Sequence, residues 1–139
     1  MVYKLNINDR AALAIKNKTK RVEIRANKKG KINYSKISSN DIIEFTSNSL
    51  GVFYAEVKEV NYYKTLEELF TLEGTKYTTS STDDYDEAIK NVNKLDGYEE
   101  SIKNFGVYAI HIEYLYSENT VWEELYEKAK NGHWKTSNV

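Results

Sequence analysis

An α+β domain is predicted by three features of this 139-residue sequence. Short alternating segments read as strands, capped amphipathic segments read as helices, and most of the helices fall late in the chain. The order read is β-α-β-β-β-α-α-β-α. Hairpin-like spacing between Ile42 and Val60 favours antiparallel pairing and is compatible with a small barrel. A chain of this length suits one domain able to bury its own core.

Residues 2–7 alternate, with Tyr3, Leu5 and Ile7 on one face, as a half-buried strand does. Asn8 or Asp9 caps a short helix over 10–17 that carries Leu13 and Ile15. Residues 21–25 alternate strictly: Val22 and Ile24 point one way, Arg21, Glu23 and Arg25 the other. Residues 26–39 read as a loop with Lys28, Lys29, Gly30 and Lys31 at its tip. Ser39-Asn40-Asp41 turns into a strand over 42–46, and a second turn at 48–51 leads into a longer strand over 52–60.

Thr65-Leu66-Glu67-Glu68 is a capping box, so a helix starts there with Leu66, Leu69 and Phe70 on its apolar side. Residues 74–82, rich in Thr and Ser, form a loop. Residues 84–95 fit a helix with Ala88, Ile89, Val92 and Leu95 inward. Gly97 ends it, and residues 98–104 add a turn or two. Gly106 opens a clear strand over 107–114. Thr120-Val121-Trp122-Glu123 is a second capping box, starting a C-terminal helix that Gly132 would cap. The chain is thus read as a domain over 1–116 and a helical extension over 117–139 packed on it.

Composition excludes several classes. There is no Cys, hence no disulfide, thiolate nucleophile or Cys-based zinc site. No apolar run reaches the ~18 residues of a membrane-spanning helix, and the first residues lack the apolar core of a signal peptide. A soluble, cytoplasmic protein is expected. The two His, His111 and His133, are not at ligand spacing, so neither a metal nor a cofactor is expected. No phosphate-binding glycine loop is present.

The net charge of −1 hides two lobes. Residues 16–36 hold nine basic side chains against Glu23 alone, a local charge of +8. Residues 65–100 hold ten acids against three lysines, a local charge of −7. Separate lobes make separate fields, and the positive one would attract a phosphate backbone. Mutual neutralisation across the fold is the alternative. Within the basic lobe, Lys20 at the helix-to-strand junction converges with Glu23 and Arg25. Lys beside Arg suits a phosphate or carbonyl oxygen, and a buried Glu between them can serve as a general base. Tyr62-Tyr63 follows the long strand and suits either base stacking or core packing. A lone strand histidine such as His111 is more often structural.

The segment from Ile15 to Arg25 resembles the signature of the ASCH family of the PUA-like superfamily, apolar-x-x-Gly-x-Lys-x-x-Glu-x-Arg. Ile15, Lys20, Glu23 and Arg25 match it, and Lys18 stands where Gly is usual. The turn Ser39-Asn40-Asp41 with its following strand, the helix from Thr65 and the strand from Gly106 resemble later family blocks, with Asn40 in a second Gly place. Asn tolerates left-handed backbone and Lys does so poorly, so the loop at Lys18 is expected to differ from the family's. The resemblance implies a PUA-like small mixed or antiparallel β-barrel flanked by helices, with a cleft lined by the Lys, Glu and Arg. It also implies RNA or nucleotide recognition.

One branch of the family is similar to N4-acetylcytidine amidohydrolases, with a Thr three residues after the Lys and a separate Glu. Glu23 stands in the Thr place, and the separate Glu has no secure counterpart, although Glu67, Glu68 and Glu73 lie in the general region.

Three functions compete. The first is an RNA- or nucleotide-binding domain whose basic cleft uses Lys18, Lys20, Arg21, Glu23, Arg25, Lys28, Lys29 and Lys31. The second is a small hydrolase, an amidohydrolase on a modified nucleoside or a ribonuclease, with Lys20 and Glu23 as catalytic residues. That reading asks for Glu23 within about 3 Å of Lys20 in a closed pocket. The third is a protein-interaction module using the C-terminal helix and an apolar patch around Trp122 and Trp134. The binding domain is the reading adopted from the sequence.

Overall fold

The structure, a computed structural model, describes residues 1–28 and 31–118. Its elements are β1 (Val2–Asn6), α1 (Asp9–Lys16), β2 (Val22–Arg25), β3 (Ile42–Ser47), β4 (Gly51–Tyr63), α2 (Leu66–Glu73), α3 (Tyr85–Asn93), α4 (Tyr98–Phe105) and β5 (Val107–Ser117). A short 3-10 turn covers Tyr34–Lys36. The expected C-terminal helix, with Trp122 and Trp134, lies outside the described residues, as do Lys29 and Gly30.

Three helices begin where a polar side chain takes an otherwise orphaned amide. Asn8 Oδ1 accepts from Ala11 N at 2.8 Å, Thr65 Oγ1 from Glu68 N at 3.1 Å, and Asp84 Oδ2 from Glu87 N at 2.9 Å. Each such cap contributes about 1 kcal/mol. α3 stops at Asn93, two residues short of Leu95, which is therefore exposed rather than inward. Residues 98–105 make two full turns, α4, closed by Gly106 at φ +79°.

The five strands form one sheet in the order β1-β3-β4-β5-β2. β3 and β4 pair antiparallel, as their spacing suggested, and β4–β5 and β2–β5 are antiparallel too. β1 pairs parallel with β3, Val2 opposite Ile42. The expected barrel does not close: β1 and β2 are the two edges and do not pair. The reason is visible at β2, where Arg21 N and Val22 N donate to Tyr77 O at 2.8 and 3.0 Å. The loop after α2 thus takes amides that closure would need. A side chain bridges the seam instead, Arg25 Nη2 donating to Asn6 O at 2.7 Å.

Both faces of the sheet are covered. Leu5, Ile15, Ile43, Phe45, Val57 and Ile110 belong to a core on one face. Val22, Ile24, Leu69, Phe70, Val92 and Ala109 belong to a core on the other, beneath α2, α3 and α4. β5 feeds both: Tyr108, Ile110 and Ile112 go to the first core, Val107 and Ala109 to the second. That double burial explains its nearly continuous apolar run.

β4 changes face partway. Val57 pairs with Ile112 and Glu59 with His111, so Lys58 is an unpaired extra residue. Such a bulge reverses the alternation beyond it. Phe53, Ala55 and Val57 therefore face the first core, while Tyr63, of the same odd parity, joins the second.

The backbone at Lys18 does not avoid the left-handed conformation, contrary to the expectation from its side chain. Lys18 adopts φ +66° and Asn40 φ +75°, the left-handed conformation a glycine takes without strain. No helix among the described residues is long and apolar enough to cross a membrane.

Candidate functional site

The open seam of the sheet holds a cleft of about 380 Å³. One wall is β2 with Glu23, Ile24 and Arg25. A second is the start of α1 with Asn8, Arg10 and Ala11. A third is the polar loop from Thr78 to Ser81, backed by Asn91 of α3 and Tyr98 of α4.

Lys20, Glu23 and Arg25 form its floor. The side chains of Lys20 and Glu23 are 6% and 8% exposed, and that of Arg25 is 14% exposed. Glu23 Oε2 accepts from Arg25 Nε at 3.0 Å and from Nη2 at 2.7 Å. Lys20 Nζ lies 3.4 Å from Glu23 Oε1. The ammonium also donates to Val22 O at 2.6 Å and to Thr78 O at 2.7 Å. Lys20 therefore pins the 78–81 wall onto the edge of β2 as well as balancing Glu23.

These contacts set the charge states. Burial pushes the Glu23 carboxyl up, but Arg25 and Lys20 together outweigh it and hold it below the usual range. Burial, with help from the Arg25 charge, lowers Lys20 despite Glu23. Burial also disfavours the Arg25 cation, yet Glu23 outweighs it and holds Arg25 above its ordinary value. Tyr98 is pushed up to about 12, chiefly by burial and by Glu23 against the opposing Arg25. It stays a neutral phenol.

The sequence-derived site residues separate in space. Lys20, Glu23, Arg25 and Lys28 line the cleft. Lys28 Nζ donates to Asp96 O at 2.7 Å and sits 5.4 Å from the Tyr98 ring centroid. Lys18 and Arg21 line a neighbouring groove instead. Arg21 leaves the Glu23–Arg25 face because β2 begins only at Val22, and its Nε donates to Lys18 O at 3.0 Å. Lys31 is exposed and lines neither, and Lys29 lies outside the described residues. The sequence reading missed Arg10, Tyr98 and the 78–81 loop, although the Thr/Ser run of that loop was a usable signal.

Glu67, Glu68 and Glu73 do not line the cleft. Glu73 works on the opposite sheet face. It accepts from Tyr63 Oη at 2.6 Å and Asn61 Nδ2 at 2.9 Å, and its Oε1 lies 2.8 Å from His111 Nε2. This cluster fastens the end of α2 to β4 and β5. Of the adjacent tyrosines, Tyr63 is thus a core residue, while Tyr62 is half exposed beside Tyr108.

A mixed sheet flanked by helices, with a buried ionic row along its unclosed seam, defines the chain as an α+β domain. The family model for the ASCH domain matches residues 5–116. The chain belongs to the ASCH domain family. Among solved structures it is similar to the hypothetical protein PH0355, with 26% identity and a TM-score of 0.69 over 83% of this chain and 100% of that one. Protein PF0455 from Pyrococcus furiosus has 24% identity and a TM-score of 0.64 over 83% and 98%. A mutant form of the ZmASCH protein from Zymomonas mobilis has 12% identity and a TM-score of 0.52 over 91% and 78%. No curated protein sequence matches the chain.

Proposed function

We propose that the protein binds RNA through the cleft at the sheet seam, taking one nucleotide base against Glu23 and Arg25. The observation that carries this reading is the paired presentation of one acceptor and one donor on the cleft floor. Glu23 Oε1 meets Lys20 only at 3.4 Å and keeps acceptor capacity. Arg25 engages Glu23 and Asn6 through Nε and Nη2, leaving Nη1 unbonded among the described residues. An adjacent acceptor and donor complement the amide edge of a base. A volume of about 380 Å³ falls in the range of small-ligand pockets. Arg10 and Lys28 at the rim supply cations, and Tyr98 an aromatic surface, for the attached nucleotide.

A hydrolytic role for Lys20 and Glu23 has less support. A carboxyl held below its usual range is a poor base near neutral pH, and the Lys20 ammonium already donates to two carbonyls.

The test is fluorescence anisotropy with a labelled single-stranded RNA of about eight nucleotides at low salt. Arg25→Lys keeps the charge and removes the planar donors. It should weaken binding at least tenfold, with an unchanged circular dichroism spectrum, and Arg10→Ala should weaken it several-fold. Absence of binding by the wild type, or equal binding by Arg25→Lys and Arg10→Ala, overturns the reading.

A further inference from the structure

We propose a second subsite on this chain, a groove built by Lys18, Arg21 and Lys76 that holds the sugar–phosphate backbone of a single-stranded RNA. This rests on the reading that a base of the same strand enters the cleft.

The groove, of about 680 Å³, adjoins the cleft, and Thr79, Ser80 and Ser81 line both. A strand leaving the cleft across that loop meets three cations opposed by one carboxylate, Asp83. The cations of the cleft floor are largely engaged by protein: Lys20 serves two carbonyls and Glu23, and Arg25 serves Glu23 and Asn6. Those of the groove pair with no carboxylate among the described residues, so their charge remains available to a phosphate.

Arg21 is also held in place. Its guanidinium lies 4.3 Å from the Tyr77 ring centroid, and its Nε donates to Lys18 O. Lys76 Nζ lies 5.2 Å from the same ring. A stacked guanidinium loses little freedom on binding, and its terminal nitrogens suit phosphate oxygens. The Tyr77 carbonyl anchors this ring to β2 through Arg21 N and Val22 N. Lys18 adds an independent sign. It occupies φ +66°, where glycine would be unstrained, so a strained cation stands at the groove margin. Strain kept at a surface loop points to a role for the side chain.

The experiment measures uridine 5′-monophosphate and oligouridylates of increasing length against wild type and Lys18→Glu/Lys76→Glu. Neither lysine lines the cleft. The expected result is at least a tenfold loss for the longer oligomers with monophosphate binding unchanged. The salt dependence of oligomer binding should fall by about 1.4 in log–log slope, near 0.7 for each lost phosphate contact. Unchanged oligomer affinity in the double variant overturns the groove and leaves the cleft reading intact. Equal losses for monophosphate and oligomer also overturn it. A wild type that binds neither ligand overturns both readings. An acidic peptide of equal charge competing as well as the oligomer overturns the assignment to RNA.

Discussion

Replacing Lys20 by Met keeps most of a buried aliphatic stem and removes an ammonium that solvent barely reaches. Three contacts disappear: Val22 O at 2.6 Å, Thr78 O at 2.7 Å and Glu23 Oε1 at 3.4 Å. Hydrogen bonds to a charged group contribute about 1.5–3 kcal/mol each. Glu23 keeps Arg25 at 2.7 Å, so the main loss is the two buried carbonyls left without their donor, with the weakened ion pair added to it. These losses overlap, so the expected destabilisation is about 3–5 kcal/mol rather than their sum.

In urea unfolding, with a slope of about 2 kcal/mol/M, the midpoint should fall by about 2 M. Glu23→Gln in the same chain removes the other partner of the 3.4 Å contact, so the two single losses count that contact twice. The double variant should therefore be more stable than the two single losses predict, by more than about 1 kcal/mol. A midpoint shift under about 0.5 M, or strict additivity, would refute the argument that Lys20 braces the cleft wall.

Four further outcomes are expected. Lys18→Gly relieves the left-handed backbone, raising stability by about 1 kcal/mol and the melting temperature by a few degrees in calorimetry, while weakening oligomer binding. Gly106→Ala meets both φ +79° and a clash of the new Cβ with the Tyr62 ring and hydroxyl, so urea unfolding should show a loss of about 1–3 kcal/mol, partly restored by Tyr62→Ala. Glu23 sits below its ordinary value of 4.5 in the folded protein, so its contribution is complete above that pH and drains as pH falls through the lower folded value. The urea midpoint should therefore drop on acidification, and less steeply in Glu23→Gln. Tyr63→Phe removes the 2.6 Å bond to Glu73 on the far sheet face and should cost about 1 kcal/mol in the same assay, with RNA affinity unchanged.

The sequence disclosed features governed by neighbours along the chain. Asn8, Thr65 and Asp84 cap helices because a cap needs only the next few residues. Glu23 and Arg25 share a face because alternation is local to a strand. What it did not disclose depends on distant partners. Lys20 finds the Thr78 carbonyl 58 positions away, and nothing in the basic run announces that acceptor. Arg21 alternates with Glu23 on paper, yet Tyr77 captures the backbone just before β2 and turns the side chain toward another groove. The open seam was equally hidden, because strand count and spacing do not say which edge a later loop will cover.

The bulge at Lys58 gives β4 two reading frames. Upstream, odd-numbered residues spell out the core beneath α1. Downstream, the same parity supplies Tyr63 and Asn61 to the cluster that fastens α2. Loss of that unpaired residue would be a frameshift in space. Every side chain from Glu59 to Tyr63 would turn to the opposite face, although not one of them had changed identity. Length, more than composition, is therefore the constrained quantity in this strand.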